Sequence, residues 1–279
     1  PGDEVLLPTP GFPNMDETVR LLGGRPVFYE LERHNGYLPD PDRIASLVTP
    51  RTKALFLNTP NNPTGAVIPP ERIEAILSVT SERGVWVISD EVYDQLILDD
   101  GLPYLSPGSV DTSMPIISVY SFSKVYSMTG WRVGYLVAPP ALAQILRTLQ
   151  EPQVSCPSTI SQKAAEAALT GPREPIEAMR SAYVRNRDSA WTRLQLGLEG
   201  FRTQGTFYML VDIAKSGLAP LDFSLRLLEE GGVAVAPGEV FGPGGDEVVR
   251  ISLANDRENI ELGLDALSSF IEKAQSQTS

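Results

Sequence analysis

Lys124 lies in the stretch SFSKVYSMTGWRVGY, residues 121–135, with Ser121 three positions before it and Arg132 eight after it. A deprotonated lysine amine is a nucleophile towards carbonyl carbon, and the product is a Schiff base. A hydroxyl and a planar guanidinium are the groups that hold a phosphate dianion, the guanidinium through two parallel hydrogen bonds. Taken singly, each residue has a plainer explanation. Most lysines are surface charges, a serine can cap a turn, and an arginine can pair with any nearby acid. A ligand carrying both an aldehyde and a phosphate would use all three at once.

Pyridoxal phosphate is such a ligand, and it makes further demands. Its pyridine nitrogen must stay protonated to draw electrons, which requires a buried carboxylate partner. Asp90 is placed for that task, where the apolar run VWVIS turns polar in SDEVY. On its own, Asp90 would be read as a helix or turn cap. Tyr93, three residues on, is placed to donate to the ring's phenolic oxygen, and its plainer reading is a packed core tyrosine. Asn62 in NNPTG can bond the same oxygen, where an isolated Asn-Pro would be a turn.

The elements that must position these groups follow from periodicity and punctuation. EVLL, PVFYE, KALFLN, VWVISDEVY, PIISVYSFSK and VGYLVAP read as strands, several apolar on both faces. Helices are expected over 14–22, capped by Asn14 and stopped by Gly23-Gly24, over PDRIASLV, and over 70–84 with Pro70 in the first turn and Gly84 at the stop. Alternation of this kind predicts an α/β fold with a mostly parallel central sheet covered by helices. Polar clusters at 58–65, 90–93 and 121–124 follow three strands, and ligands bind beyond the carboxyl ends of such strands. From about residue 141 helices dominate, followed by short strands in GTFYMLVDI, GVAVAPG and VVRISLA. The expected division is a large cofactor-binding domain over 1–145 and a linking helix with a small α+β domain over 146–279.

The 279 residues include 23 Lys and Arg against 35 Asp and Glu, a net charge of −12. That charge repels a phosphate backbone, and no basic patch offsets it, so no nucleic-acid partner is expected. It suits a cytoplasmic protein. The single cysteine, Cys156, excludes an intrachain disulfide and a multi-cysteine metal site. It is expected as a small buried residue at a helix start. His34 is expected on the surface, and it has no second histidine with which to share a metal. No apolar run is long enough to span a bilayer.

Four motifs in order, NTPNNPTG, SDEVY, SFSKVYSMTGWRVGY and VVRISLA, resemble the class I/II aminotransferases, members of the fold-type I pyridoxal-phosphate enzymes. The resemblance covers essentially the whole chain. It implies Lys124 as the Schiff-base lysine, Asp90 as the pyridinium partner, and Asn62 and Tyr93 on the phenolic oxygen. Ser121 and Arg132 would bind the phosphate, and Phe12 in LPTPGF would stack on the ring. Arg250 in VVRIS would clamp the substrate α-carboxylate, with Asn62 beside it. The implied reaction moves an amino group between an L-amino acid and a 2-keto acid, in a homodimer. Alternatives on the same scaffold are a β-lyase, a decarboxylase, or the effector-binding domain of a transcription regulator. Pro1-Gly2-Asp3 opens straight into a strand, and family members extend further upstream, so the sequence is expected to lack an N-terminal segment.

Overall fold

The computed structural model describes residues 1–110 and 114–278. Strands β1 (Glu4–Thr9), β2 (Arg25–Glu30), β3 (Thr52–Asn58), β4 (Trp86–Asp90) and β5 (Ile116–Ser121) run parallel. Strand β6 (Gly134–Val137) closes the sheet antiparallel to β5, in the order β2-β1-β3-β4-β5-β6. Helices α1 (Pro13–Leu21), α2 (Pro41–Leu47) and α3 (Pro70–Glu82) are the crossovers between the first four strands. The chain leaves β1 for the outer β2 and returns to the other side of β1 as β3. The strand order therefore reverses between β1 and β3, and a crevice opens beyond their carboxyl ends.

Burial explains why these segments take these forms. In β3, Leu55, Phe56, Leu57 and Asn58 are all buried, so both faces of the strand are covered. In α3, Ile73, Ile76, Leu77 and Thr80 recur at three- and four-residue spacing and form its buried seam. Full burial of each aliphatic chain there stabilises the fold by roughly 1.5–3 kcal/mol. Helix α1 departs from expectation at its start. It begins at Pro13 with Phe12 in the N-cap position, no side chain caps it, and Asn14 lies inside the first turn. The ring of Pro13 pre-sets the helical φ and removes an amide hydrogen that would otherwise need a partner.

The second sheet is antiparallel and contains β7 (Tyr208–Asp212), β8 (Ala236–Pro237) and β9 (Val248–Ser252), in the order β7-β9-β8. A separate core of Met209, Val211, Phe223, Leu227, Val249, Leu264 and Phe270 packs it. Its helices are α7 (Glu174–Leu194), α8 (Pro220–Gly231) and α9 (Arg257–Thr278). Helix α4 (Phe122–Val125) lies between β5 and β6, and helices α5 (Pro140–Val154) and α6 (Thr159–Thr170) lead from the large sheet toward the second.

The two parts meet at a backbone clamp. The Leu98 amide donates to Gln204 O at 2.7 Å, Thr206 N–H to Leu96 O at 2.9 Å, and Gly205 N–H to Gly65 O at 2.8 Å. Gly65 has φ +73°, and a Cβ there would stand 1.5 Å from Thr203 Oγ1, so both conformation and space require glycine. Beside the clamp, the buried Arg187 of α7 pairs with Asp99 at 2.7 Å.

Cys156 departs from expectation. It is exposed in the loop between α5 and α6, where Ser158 rather than Cys156 caps the following helix. A hydroxyl can accept the Ser161 amide, and a thiol accepts poorly. His34 is exposed, as expected. Among the described residues no helix is long and apolar enough to cross a membrane.

Candidate functional site

The register of the large sheet places three polar strand ends side by side. Asn58 on β3 is opposite Asp90 on β4, and Asp90 is opposite Val119 on β5, two residues before Ser121. Beyond these ends lies a cleft of about 350 Å³ lined by Phe12, Asn62, Asp90, Tyr93, Ser121, Lys124, Arg132 and Arg250. All eight residues singled out in the sequence thus converge on one space. A larger hollow of about 420 Å³ elsewhere carries Glu30, Glu32, Arg33, Asp212 and Glu247 and is lined by no lysine that could form a Schiff base. Chemistry, not size, distinguishes the first.

Asp90 ends β4 with its backbone carbonyl accepting from Asn58 Nδ2 at 3.0 Å. Its carboxylate accepts the Val92 amide at 3.3 Å. Burial pushes the carboxyl up to about 6, with nearby Glu91 adding to the rise and Lys124 opposing it. A buried carboxylate in this state lacks a close cation and favours any cationic ring placed against it. Tyr93 is buried, and its phenol is pushed well above the usual range by burial and by the neighbouring Tyr208 and Asp90.

Lys124 and Ser121 come from a single tight feature. Ser121 caps the one-turn α4, its Oγ accepting the Ser123 amide at 3.1 Å, and Lys124 lies within that turn. Arg132 has a left-handed backbone, φ 51° and ψ 50°, and its Nη1 donates to Thr129 O at 2.9 Å. A bulky side chain in that region is uncommon and costs about 1 kcal/mol or more. The turn aims an exposed guanidinium at the cleft mouth beside the hydroxyls of Ser121, Ser123 and Thr129. A cation flanked by three hydroxyls suits an anion with several oxygens.

Arg250 arrives from the second sheet, on its central strand β9. Its Nη1 donates to Asn62 Oδ1 at 2.8 Å, and its Nε is buried without a hydrogen-bond partner. The guanidinium carbon lies 3.9 Å from the Tyr208 ring centroid and 4.7 Å from that of Phe241. Burial lowers its pKa. Asn62 is itself fixed, its amide donating to Asn58 Oδ1 at 2.8 Å.

Sequence reasoning missed Tyr208, Phe241 and Glu91. Tyr208 pairs with Ser252, so Arg250 is its diagonal cross-strand neighbour, a contact visible only once register is known. Glu91 is fully buried and accepts from the Tyr104 and Tyr120 hydroxyls at 2.7 and 3.1 Å, which anchors the strand end carrying Asp90. The local signal was its adjacency to Asp90 in SDEVY, but that adjacency does not reveal the two tyrosines.

The chain is similar to known proteins over nearly its whole length. The family described as aminotransferase class I and II matches residues 1–267. Aromatic-amino-acid aminotransferase 2 of Thermococcus litoralis is 37% identical over 97% of this chain and 70% of its own length. Aspartate aminotransferase of Pyrococcus abyssi is 38% identical, again over 97% of this chain and 70% of its own. The crystal structure of an aromatic aminotransferase from Pyrococcus horikoshii superposes with a TM-score of 0.93 at 38% identity, covering 98% of this chain and 74% of that one.

Proposed function

We infer, from the premise that this chain belongs to the class I and II aminotransferase family, that it binds pyridoxal phosphate at Lys124 and moves amino groups between L-amino acids and 2-keto acids. The chain has the fold-type I architecture of those enzymes and transfers nitrogenous groups as they do. The observation that carries the cofactor assignment is the convergence of Lys124, Asp90 and Arg250 on one cleft.

The residues fit the cofactor on their own chemistry. Asp90, raised by burial, would be stabilised as an anion by a protonated ring nitrogen. Ser121 and Arg132 would hold the phosphate, Asn62 and Tyr93 the phenolic oxygen, and Phe12 the ring face. Pyridoxal phosphate supplies, when bound, an aldehyde for amines and a ring that takes up the electron pair left on the substrate Cα.

The chain's own residues then divide the work. Arg250 binds the substrate α-carboxylate and sets the orientation of the Cα–H bond. Asn62, bonded to Arg250 Nη1, keeps the guanidinium aligned. Lys124 Nζ, once released by the incoming substrate amine, would take the Cα proton as general base and, as general acid, deliver it to the carbon that carried the cofactor's aldehyde. Asp90 holds its negative charge where positive charge must persist.

The same reading extends to the molecule as a whole. Residues 1–145 form the cofactor-binding domain and 146–279 the linking and small domain, supported by the second sheet's own core of Met209, Val211, Phe223 and Leu264, although Leu210 and Val248 pack into the core of the large sheet. Association as a homodimer is supported by exposed Tyr135, Leu136 and Val137 on β6 and exposed Ile145 and Leu149 on α5. The net charge of −12 and the single cysteine support a cytoplasmic location. The substrates proposed are L-aspartate and aromatic L-amino acids, the classes named for the relatives above.

The test is nitrogen transfer. Protein incubated with pyridoxal phosphate, ¹⁵N-labelled L-aspartate or L-phenylalanine, and 2-oxoglutarate should yield ¹⁵N-glutamate by mass spectrometry. Label that stays in the donor for every L-amino acid supplied overturns the reading.

A further inference from the structure

Glu91 directly follows Asp90, the proposed partner of the ring nitrogen, and has no part in the roles assigned above. Asp90 lines the cleft, whereas Glu91 is fully buried behind it, as successive residues of an extended chain face opposite sides. The peptide group between them is held from both sides: Asp90 O accepts the Thr59 amide at 3.2 Å, and the Glu91 amide donates to Val119 O at 2.9 Å. Glu91 Oε2 accepts from the hydroxyls of Tyr104 at 2.7 Å and Tyr120 at 3.1 Å. We propose that Glu91 is a positioning residue for the cofactor: a second buried carboxylate whose negative charge, held outside the cleft by two phenols, strengthens the grip of Asp90 on a protonated ring nitrogen. The inference rests on the aminotransferase reading of this cleft.

Anchoring alone does not account for a carboxylate at this position. One acceptor oxygen satisfies both phenols, and a neutral amide has that oxygen too. Glu91 Oε1 is meanwhile buried without a hydrogen-bond partner among the described residues, on a sheet face that carries buried Ser89 and Ser118 at paired positions. A buried carboxylate with one oxygen unpartnered costs stability that an apolar side chain of similar volume does not. What only the carboxylate adds is charge.

That charge acts at close range, because Asp90 is the adjacent residue and Glu91 is shielded from water. The titratable groups around Glu91 are Asp90, Asp94, Tyr104, Tyr120 and Tyr135; burial is the largest cause of the rise at each, and Glu91 adds to it. Lys124 opposes the rise at Asp90. A negative charge raises the proton affinity of a neighbouring carboxylate and, by the same interaction, stabilises a cation placed against that carboxylate. The phenols fix where the charge stands. The Tyr120 hydroxyl is 3.0 Å from Ser106 Oγ, and its ring stacks on Tyr135 with centroids 4.9 Å apart.

Two neutral variants test the charge. Glu91→Gln keeps an oxygen for both phenols, and Glu91→Met, of similar volume, removes the charge without adding amide donors. Thermal melting checks that each retains the fold. The first readout uses cofactor-free protein: the stability gap between Asp90 and Asp90→Asn is followed by urea unfolding against pH, in the wild-type and in each Glu91 background. Comparison within one background cancels the effect of Glu91 on Asp94 and on the tyrosines. With Glu91 neutral, the Asp90 carboxyl falls back towards its ordinary value, so the gap should reach its plateau roughly 0.5 pH units or more lower. The second readout is affinity for pyridoxal phosphate and for its analogue with CH in place of the ring nitrogen. Each variant should lose roughly 3-fold or more for pyridoxal phosphate and stay within about twofold of wild type for the analogue, which has no ring proton for the charge to act on. Wild-type protein that takes up neither compound refutes the aminotransferase reading and this inference with it. Wild-type protein that takes up pyridoxal phosphate refutes the role of Glu91 alone if the plateau stays in place in the variants, or if the two affinities are unchanged or weakened alike.

Discussion

Replacing Asp90 with asparagine should strengthen the cofactor-free fold and destroy its chemistry. Burial raises this carboxyl from its ordinary 3.8 to about 6. The folded state therefore disfavours the anion, and the stability Asp90 contributes is greatest below pH 3.8 and is lost as pH rises through about 6. The span of 6 − 3.8 = 2.2 pH units, at about 1.36 kcal/mol each, gives roughly 3 kcal/mol of destabilisation at neutral pH. Asparagine has nearly the same shape, keeps an oxygen for the Val92 amide, and carries no charge at any of these values. Urea unfolding of cofactor-free wild type and Asp90→Asn should show near-equal stability at about pH 4 and a gap opening to about 3 kcal/mol by pH 7, the variant being the more stable. Adding pyridoxal phosphate should narrow the gap, since a protonated ring nitrogen stabilises the anion only in wild type. Transamination by the variant should fall on the order of 10²–10³-fold. A variant equal to or weaker than wild type at pH 7, or a gap that does not grow with pH, would refute the reasoning.

Other perturbations have equally definite outcomes. Gly65→Ala forces a Cβ into Thr203 Oγ1 at a left-handed φ, and denaturant unfolding should report a loss of about 2 kcal/mol or more. Arg187→Ala leaves Asp99 with Arg202 as its partner but strips the buried Thr203 carbonyl of its donor, with an expected loss of about 1–3 kcal/mol in the same assay. Arg250→Lys keeps the charge but loses the fork and the stack, so KM for amino acids should rise roughly 10- to 100-fold while the bound-cofactor spectrum stays as in wild type.

Much of this was legible in the sequence because the informative residues are local. Lys124 and Ser121 lie on one tight turn and Arg132 ends the next short helical turn, so all three stay close along the chain. Asp90 betrays itself where an apolar strand turns polar, a signal that needs no knowledge of neighbouring strands. What escaped depends on register and long-range packing. Tyr208 reaches Arg250 only through the diagonal of an antiparallel pair, and Phe241 reaches it from the short helical turn after β8. The antiparallel direction of β6 was likewise hidden, since VGYLV reads the same in either sense. Cys156 misled because a small apolar residue near a helix start is commonly buried, whereas here Ser158 takes the cap and the preceding loop stays in solvent. Phe12, expected as a ring-stacking aromatic, also occupies the N-cap position of α1, a place where Pro13 made a polar side chain unnecessary.

The most direct test of the whole account is the site of cofactor attachment. Protein mixed with pyridoxal phosphate, reduced with borohydride, digested and mapped by mass spectrometry should carry one pyridoxyl group, on Lys124. The Lys124→Ala variant treated alike should carry none. Attachment at another lysine, or the same adduct surviving in Lys124→Ala, would contradict the account at its centre.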